Sequence, residues 1–322
     1  MKDKILKLLY DSDDYISGAK ISEELGISRQ AVWKHINTIR KNGYMIESIN
    51  NKGYKILARP DLCNKLSVTK YLNTKFLGRQ FIHFDELDST NAYIKEIAND
   101  YTDEGLVVLT EKQLAGRGRL GKQWFSQNSD GIWMSMMLKP EISIFEVSKI
   151  TQVVAAAMYL ALDELGISCK IKWPNDIIIN DKKICGILVE MNSEENHINY
   201  IVVGIGINVN QNKNDFNSEI TDIASSLKIE GGKRYDRAEV TAKILNHFEM
   251  LYREFCKGNF EKSREICEKN SYIIGKNIYV IKNGEKINAT VKGLNENGEL
   301  NIVYEDGQKE NLIYGEVSVR LQ

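Results

Sequence analysis

The stretch "QLAGRGRLGKQW", Gln113–Trp124, decides which fold the centre of this 322-residue chain can adopt. Its glycines spell the G-x-G-x-x-G of a dinucleotide-binding loop, and Gly116–Lys122 spells most of a phosphate-binding P-loop. Both loops open a helix, because the bound phosphates sit at the helix N-terminus, and a P-loop also needs Ser or Thr after its lysine. Here Gln123 follows the lysine, and the continuation "KQWFSQNSDGIWMSMML" alternates like a strand or hairpin. The stretch therefore argues against both nucleotide-binding folds.

We interpret the stretch as a mobile loop between two extended segments. Its glycines allow close backbone approach, and Arg117 and Arg119 supply two cations that can clamp a phosphate or a carboxylate. Taken alone, a flexible surface hairpin with solvated arginines explains the same residues equally well.

The sequence on either side of this loop predicts an α+β fold. Between about residues 75 and 265, seven segments are typical of strands: "FIHFDEL", "LVVLTEK", "GIWMSMML", "CKIKW", "DIIIN", "KICGILVEM" and "YIVVGIGINV". Three are typical of helices: "STNAYIKEIAN", "VSKITQVVAAAMYLALDELG" and "DRAEVTAKILNHFEMLYREF". Because the strands are grouped rather than alternating with helices, we expect a mixed sheet with its helices on one side.

The first sixty residues predict a separate winged helix-turn-helix domain. The segment "SGAKISEELGISRQAVWKHINTIRKNGY" has the pattern helix, tight turn, helix, with Gly26 in the turn and Ser28 as the cap of the second helix. Val32, Ile36 and Ile39 form the buried stripe of that second helix. The segment "YMIESINNKGYKIL" predicts the hairpin that forms the wing.

This domain carries 11 basic and 7 acidic residues, whereas the whole chain has a net charge of −1. The outer side of the second helix is therefore a candidate for the DNA major groove. Its residues there are Ser28, Arg29, Gln30, Trp33, Lys34 and Asn37. A two-fold operator needs two such helices, so DNA binding implies a homodimer. A solvated helix in a protein-binding domain is the alternative.

The C-terminal part, from Ile278 onward, predicts a small five-stranded β-barrel. Short strands there follow turn signals at Asn283-Gly284, Asn297-Gly298 and Asp306-Gly307. The domain boundaries that we expect are 1–60, 67–270 and 271–322.

Composition limits the remaining function classes. A net charge near zero gives no global field that would indicate nucleic acid. No apolar run reaches about 18 residues, and the first residues are too acidic for a signal peptide, so we expect no membrane partner. Five cysteines without paired spacing predict reduced thiols and a cytoplasmic location. Four scattered histidines and the lack of C-x-x-C argue against a zinc site.

Four further motifs carry polar residues at strand or helix ends. They are "DSTN" (Asp88–Asn91), "KWPND" (Lys172–Asp176), "KKICGILVE" (Lys182–Glu190) and "GIGINVN" (Gly204–Asn210). Each has an ordinary structural explanation when it is taken alone: the first can cap a helix, and Lys183 can be a surface charge at a strand edge.

Taken together and in this order, "GRGRLG", "KWPND", "KICGILVE" and "GIGINVN" after a helix-turn-helix resemble the bifunctional biotin–protein ligases and biotin operon repressors of bacteria. The resemblance covers nearly the full chain. It implies a class II synthetase-like ligase core and a C-terminal SH3-like barrel. It also implies ATP and Mg²⁺, with biotin activated as biotinyl-5′-AMP and passed to a lysine of a biotin carboxyl carrier protein. The adenylate would act as corepressor at the operator of biotin genes, on a homodimer.

The resemblance also implies the roles of individual residues. The catalytic cations would be Lys183, Arg117 and Arg119. The biotin-binding residues would be Ser89, Thr90, Asn91, Gln113, Gly116, Arg117, Lys183, Gly186, Leu188, Gly204 and Gly206. The ATP-binding residues would be Arg119, Trp124, Lys172, Asn175, Asp176, Asn208 and Arg320. Asp176 could also place Mg²⁺ through the substrate phosphates, although a turn cap explains this carboxylate equally well.

Two other functions stay open at this point. One is a lipoate ligase-like acyltransferase, whose ring pocket needs no partners for a ureido group, so Ser89 and Gln113 argue against it. The other is a transcription regulator that senses biotin without turning it over, against which the three cations argue. Acyl transfer by adenylation needs no protein nucleophile, and we interpret Cys185 as a packing residue.

Overall fold

The computed structural model describes residues 1–41, 44–58, 61–282, 285–313 and 318–321, without the side chains of Asp3, Ala58, Lys282 and 318–321. The chain divides into two compact units, Met1–Leu62 and Cys63–Gln322.

The first unit is a winged helix-turn-helix. Its elements are α1 (Lys2–Tyr10), α2 (Gly18–Leu25), α3 (Arg29–Lys41), β1 (Met45–Ile49) and β2 (Gly53–Ala58), with β1 and β2 in an antiparallel hairpin. Gly26 ends α2 in the left-handed region at φ 63°, where a side chain would be strained. Ser28 Oγ accepts a hydrogen bond from Ala31 N at the start of α3. The predicted stripe Val32, Ile36 and Ile39 is buried.

The second unit contains a seven-stranded sheet and six α-helices among its described residues before Ile273. In chain order these are α4 (Lys65–Thr69), β3 (Phe81–Phe84), α5 (Thr90–Ile97), β4 (Val107–Thr110), β5 (Gly131–Leu138), α6 (Val147–Glu164), β6 (Lys170–Lys172), β7 (Asp176–Ile179), β8 (Lys182–Glu194), β9 (His197–Asn208), α7 (Leu227–Gly231), α8 (Arg237–Phe255) and α9 (Glu261–Lys269).

The strand order of this sheet is β3-β4-β5-β9-β8-β7-β6. Only β3 and β4 run parallel among these pairs, and the others are antiparallel. The predicted α+β fold with a mixed sheet is confirmed.

The expectation that all helices lie on one side of this sheet is wrong. Helices α6 and α8 pack on one face, in a core that includes Val107, Met136 and Val203. Helix α5 packs on the opposite face, against Val108 and Val202. Side chains of a strand alternate between faces, so the α5 contacts come from the other set of positions. The part of that face that α5 leaves uncovered is where the polar motifs meet.

Helix α6, with the turn before it, is long and apolar enough to cross a membrane by length and composition. Its span is Ile144–Glu164, and its most apolar window has a mean hydropathy of 1.3. However, 61% of that window is buried inside the protein. A core helix passes the same test, and α6 lies in the main hydrophobic core.

The C-terminal part is a five-stranded antiparallel sheet. The predicted number of strands is confirmed, and its closure into a barrel stays a prediction. Its strands are β10 (Asn277–Lys282), β11 (Glu285–Leu294), β12 (Leu300–Tyr304), β13 (Lys309–Leu312) and β14 (Ser318–Leu321), in the order β13-β12-β11-β10-β14. Asn283-Gly284 lies outside the described residues. Gly298 and Gly307 adopt φ 76° and φ 87°, as turns of this type require. The Gly298 carbonyl accepts hydrogen bonds from Gln152 Nε2 and Trp173 Nε1, which joins this sheet to the core.

Candidate functional site

The glycine-arginine loop, Gln113–Trp124, connects the antiparallel strands β4 and β5. Its base is closed by Gln113 N donating to Ser126 O at 2.8 Å and by Trp124 N donating to Gly116 O at 2.9 Å. No α-helix follows the loop within 113–126, where only a single 3-10 turn occurs at Arg119–Gly121. The rejection of both standard nucleotide-binding loops is therefore confirmed.

The floor of the site consists of glycines on neighbouring strands. Gly206 of β9 lies opposite Gly186 of β8, and Gly204 lies opposite Leu188. Residues directly opposite each other in a sheet face the same side. A Cβ on Gly204 would lie 2.4 Å from Asn91 Oδ1, and one on Gly206 would lie 2.5 Å from Trp124 Nε1. The glycines therefore leave room for these two side chains and for a ligand beside them.

One wall of the site is polar and comes from the start of α5. Ser89 Oγ caps the helix by accepting from Ala92 N. Thr90 N donates to Gln113 Oε1 at 2.9 Å, and Thr90 Oγ1 lies 3.1 Å from the same oxygen. Ser89, Thr90, Asn91 and Gln113 are all buried. A ligand at this wall must match buried hydrogen-bonding groups, because an unpaired buried donor or acceptor is costly.

The opposite end of the site is cationic. Lys183 Nζ lies 2.6 Å from Asp176 Oδ1 and 5.2 Å from the centre of the Trp124 ring. Arg119 donates to Asn175 Oδ1 at 3.1 Å, which ties the glycine-arginine loop to the "KWPND" turn. Asn175 in turn donates to the Ile187 carbonyl at 3.0 Å, so the turn is fixed on β8.

These parts surround one cavity of about 590 Å³. Sixteen of the residues predicted from sequence line it: Ser89, Thr90, Asn91, Gln113, Arg117, Arg119, Trp124, Lys172, Asn175, Asp176, Lys183, Gly186, Leu188, Gly204, Gly206 and Asn208. Gly116 is packed behind the loop, where its Cβ would lie 2.4 Å from Ser126 Oγ. Arg320 belongs to β14, but its side chain lies outside the described part of the structure.

Sequence reasoning missed an apolar part of the cavity. Phe216, Ile220 and Ile223, from the segment after β9, line it together with Tyr272. Lys183 N donates to Ile223 O at 2.8 Å, which holds this segment beside the catalytic candidate. The segment has no helical or strand period, so no pattern in the sequence marked it.

The described residues contain no preassembled metal or thiol centre. No group of three or more His, Cys, Asp or Glu residues there could hold a metal ion. Burial raises the pKa of the Cys185 thiol well above its ordinary value, and the side chain is fully buried. A thiol of this kind is inert, so Cys185 packs rather than reacts.

In the first unit, helix α3 exposes the residues predicted to meet DNA. Ser28, Arg29, Gln30, Trp33 and Lys34 are exposed. Asn37 is only partly exposed. Its Oδ1 accepts a hydrogen bond from the Arg40 side chain.

Three family models match the chain. A helix-turn-helix domain model matches residues 2–55, the biotin/lipoate A/B protein ligase family matches residues 83–208, and the biotin protein ligase C-terminal domain matches residues 273–320. The bifunctional ligase/repressor BirA of Bacillus subtilis is 39% identical, over 96% of this chain and 95% of its own length. The chain belongs to this family of bifunctional ligases and repressors. The resemblance inferred from the motifs is confirmed.

Two further proteins are similar to most of this chain. The bifunctional ligase/repressor BirA of Escherichia coli K12 is 28% identical, over 99% of both chains. A solved structure of the biotin protein ligase from Aquifex aeolicus in complex with biotin and ATP superposes with a TM-score of 0.67. That structure is 31% identical and covers 76% of this chain and 100% of its own.

Proposed function

We propose that this chain is an ATP-dependent biotin–protein ligase that also represses biotin synthesis genes in its adenylate-bound form. The ligase half rests on one observation: a buried polar wall and a cluster of cations face each other across a glycine floor in a single cavity. Such a cavity suits a ligand with a polar ring at one end and an anion at the other.

In this proposal the ureido ring of biotin lies against Ser89, Thr90 and Gln113. Its thiophene ring and valeryl chain lie over the floor at Gly204 and Gly206. The carboxylate then points toward Lys183.

The ATP phosphates lie between Lys183, Arg117 and Arg119. The apolar side chains Phe216, Ile220 and Ile223 cover the adenine base of ATP. Arg320 and Lys172 are further candidates for contact with ATP.

Two steps follow from this placement. A biotin carboxylate oxygen attacks the α-phosphorus of ATP, a new O–P bond forms, and pyrophosphate leaves. The amine of an acceptor lysine then attacks the acyl carbon, loses a proton, and AMP leaves with the C–O bond electrons. Negative charge gathers on phosphate oxygens in both steps, so fixed cations contribute most of the catalysis.

A magnesium ion that accompanies ATP would neutralise phosphate charge. Asp176 is a hard oxygen ligand of the kind that Mg²⁺ takes, one or two at a time, beside substrate phosphates. The 2.6 Å contact of Asp176 with Lys183 supports a position beside such phosphates. We therefore keep Asp176 as the residue that would hold the ion.

The proposed partners are a biotin carboxyl carrier protein and operator DNA, with a homodimer on the DNA and a cytoplasmic location. The exposed basic helix α3 supports the DNA partner. We also propose three domains, 1–60, 67–270 and 271–322.

The deciding experiment is incubation of the full chain with ATP, Mg²⁺ and either labelled biotin or labelled lipoate. We expect a biotinyl adenylate and transfer of label to a purified carrier domain. A lipoyl adenylate would support the acyltransferase alternative, and biotin binding without any adenylate would support a non-catalytic sensor.

A further inference from the structure

A chain of hydrogen bonds runs from the polar wall of the cavity to a carboxylate on β8. Thr90 Oγ1 lies 2.6 Å from Ser135 Oγ, which lies 2.5 Å from Asn91 Oδ1. Asn91 Nδ2 donates to Glu190 Oε2 at 2.7 Å. Lys95 Nζ donates to the other Glu190 oxygen at 2.5 Å. The members come from α5, β5 and β8, so regular structure holds each of them.

The number of hydrogens fixes the direction of this chain. An ionised Glu190 can only accept, so Asn91 turns its amide NH₂ toward Glu190 and its oxygen toward Ser135. An amide oxygen carries no hydrogen, so the single Ser135 hydrogen is donated to Asn91. The short contact between Ser135 and Thr90 is then a hydrogen bond only if Thr90 donates.

Thr90 consequently faces the cavity as an acceptor. If its hydrogen pointed at a ligand instead, the lone pairs of Thr90 and Ser135 would face each other at 2.6 Å. The other oxygen close to Thr90 Oγ1 is Gln113 Oε1, which also only accepts. In both arrangements the Thr90 hydrogen stays within the protein, and a Thr90 lone pair remains for the ligand.

We propose that Glu190 is a positioning residue that sets the polarity of the ligand site. Through Asn91 and Ser135 it makes Thr90 an acceptor, and so selects a ligand N–H over an oxygen at the same position. This inference rests on the proposed function, in which a ureido N–H of biotin lies against Thr90. Glu190 itself is not among the described residues that line the cavity.

Because Lys95 is present, a single substitution at Glu190 should reverse the direction of this hydrogen-bond chain. In Glu190→Gln the ammonium group of Lys95 donates to the new amide oxygen, and the new NH₂ group therefore faces Asn91. Asn91 must then turn around, and Ser135 accepts from it and donates to Thr90. Ser135 then no longer accepts the Thr90 hydrogen, which is left to Gln113 Oε1 or to an acceptor on the ligand. Gln113 Oε1 already accepts from Thr90 N, so a ligand acceptor can compete for this hydrogen and the site tolerates an acceptor there. With Lys95→Met added, the new amide can face Asn91 with its oxygen, and the original direction returns.

The experiment measures binding of biotin and of its two cyclic carbamate analogues, in which oxygen replaces one or the other ureido N–H. Calorimetry on the full chain gives the ratio of the Kd values for carbamate and biotin. We expect Glu190→Gln to lower this ratio about tenfold for the analogue whose oxygen faces Thr90, as for one uncharged hydrogen bond. The double variant Glu190→Gln/Lys95→Met should recover the ratio. Ser135→Ala, which breaks the same chain, should also lower it.

Glu194→Gln is the matched control, because Glu194 is exposed farther along the same strand. An unchanged ratio in both Glu190→Gln and Ser135→Ala, with parental melting curves, would overturn the inference. So would a double variant that discriminates less than Glu190→Gln alone, since that result indicates a packing role. Thr90→Val distinguishes an error in the placement of biotin from an error in the role of Glu190. If it binds all three ligands as the parent does, the placement of biotin is wrong. If it loses the preference while Glu190→Gln keeps it, only the role of Glu190 is wrong.

Discussion

Lys183 Nζ and Asp176 Oδ1 lie 2.6 Å apart at the cationic end of the cavity. Lys183 is the second residue of strand β8 and Asp176 is the first of β7, so the sheet itself fixes both backbones. The pair balances the charge of Lys183 within the protein. A substrate carboxylate or phosphate must therefore compete with Asp176 for this ammonium group, and the competition favours ligands that bring their own cation.

Replacing Lys183 with Ala should abolish adenylate formation and leave the fold intact, because about a third of this side chain is exposed. Loss of a fixed cation beside two reacting anions should cost about 3 kcal/mol in the transition state, or about 100-fold or more in rate. Single-turnover synthesis of labelled biotinyl-AMP measures this directly. Lys182→Ala is the control, because Lys182 instead donates to the Asp222 carbonyl. Near-parental synthesis by Lys183→Ala would refute the assignment.

Replacing Arg119 with Ala should make the enzyme release its intermediate. Arg119 joins the glycine-arginine loop to Asn175, and a closed loop keeps water and amines away from a reactive anhydride. We expect faster dissociation of labelled adenylate and biotinylation of unrelated lysines nearby. Leu120→Ala, at the exposed tip of the same loop, should retain the adenylate. Equal retention times in both variants would show that Arg119 does not hold the loop.

The sequence predicted the motifs of this site better than their surroundings. Glycine and cationic residues indicate their roles by residue type alone. Gly204 and Gly206, for example, lie against side chains that a Cβ would strike. Strand periodicity also located the sheet. The face of the sheet that a helix covers depends on the register of strands that are far apart in the sequence. The prediction that α5 lies on the same side as the other helices is therefore wrong.

Two groups of residues, one lining the cavity and one behind its polar wall, have no signal in the local sequence. Phe216 and its neighbours belong to an aperiodic segment, which backbone hydrogen bonds with Lys183 hold beside the cavity. Ser135 and Glu190 look like ordinary strand residues, and they acquire a role only because β5 and β8 bring them beside Asn91. Side chains that act through another residue cannot be identified before the pairing of strands is known.

A buried ion pair below the site should matter for stability. Arg237 is almost fully buried and lies 2.8 Å from Glu111 Oε2. Burial alone would raise the pKa of Glu111, but hydrogen bonds from His83 and Arg237 lower it below its ordinary value of 4.5. Arg237→Met leaves the carboxylate buried without this partner, and we expect a loss of about 3–5 kcal/mol in the free energy of unfolding near pH 7.

The pH dependence of that loss follows from the lowered pKa. In the parent, Glu111 contributes stability above its ordinary pKa, and this contribution is lost as pH falls through the lower folded value. Protonation relieves the uncompensated charge in the variant, so the gap between variant and parent should shrink as the pH falls toward the lowered pKa of Glu111 in the folded parent. Urea unfolding at several pH values measures the gap. Arg234→Met, at an exposed pair with Asp130, should cost no more than about 1 kcal/mol.

DNA binding should depend on the adenylate, through dimerisation. A basic recognition helix and a ligase core occur in one chain. This combination is explained if the adenylate intermediate is also the signal that controls DNA binding. While acceptor protein is plentiful, we expect it to consume the adenylate. Once acceptor is exhausted, we expect the adenylate to persist and to favour a dimer that presents two copies of α3 to two half-sites. Because the ligand acts through different affinities for monomer and dimer, operator DNA should tighten the dimer in return.

The test is an anisotropy titration of a biotin-gene promoter fragment at fixed salt, with the chain either free or saturated with biotin and ATP. A coupling of about 1–3 kcal/mol would make the saturated protein bind about 5- to 150-fold more tightly. Lys34→Ala, on the exposed side of α3, should weaken both states and reduce the salt slope by about one. Glu24→Gln, on the preceding helix, serves as the matched surface control. Equal affinities of the free and saturated protein would refute ligand-controlled repression, while the ligase assignment would stand because it depends on the cavity around Lys183.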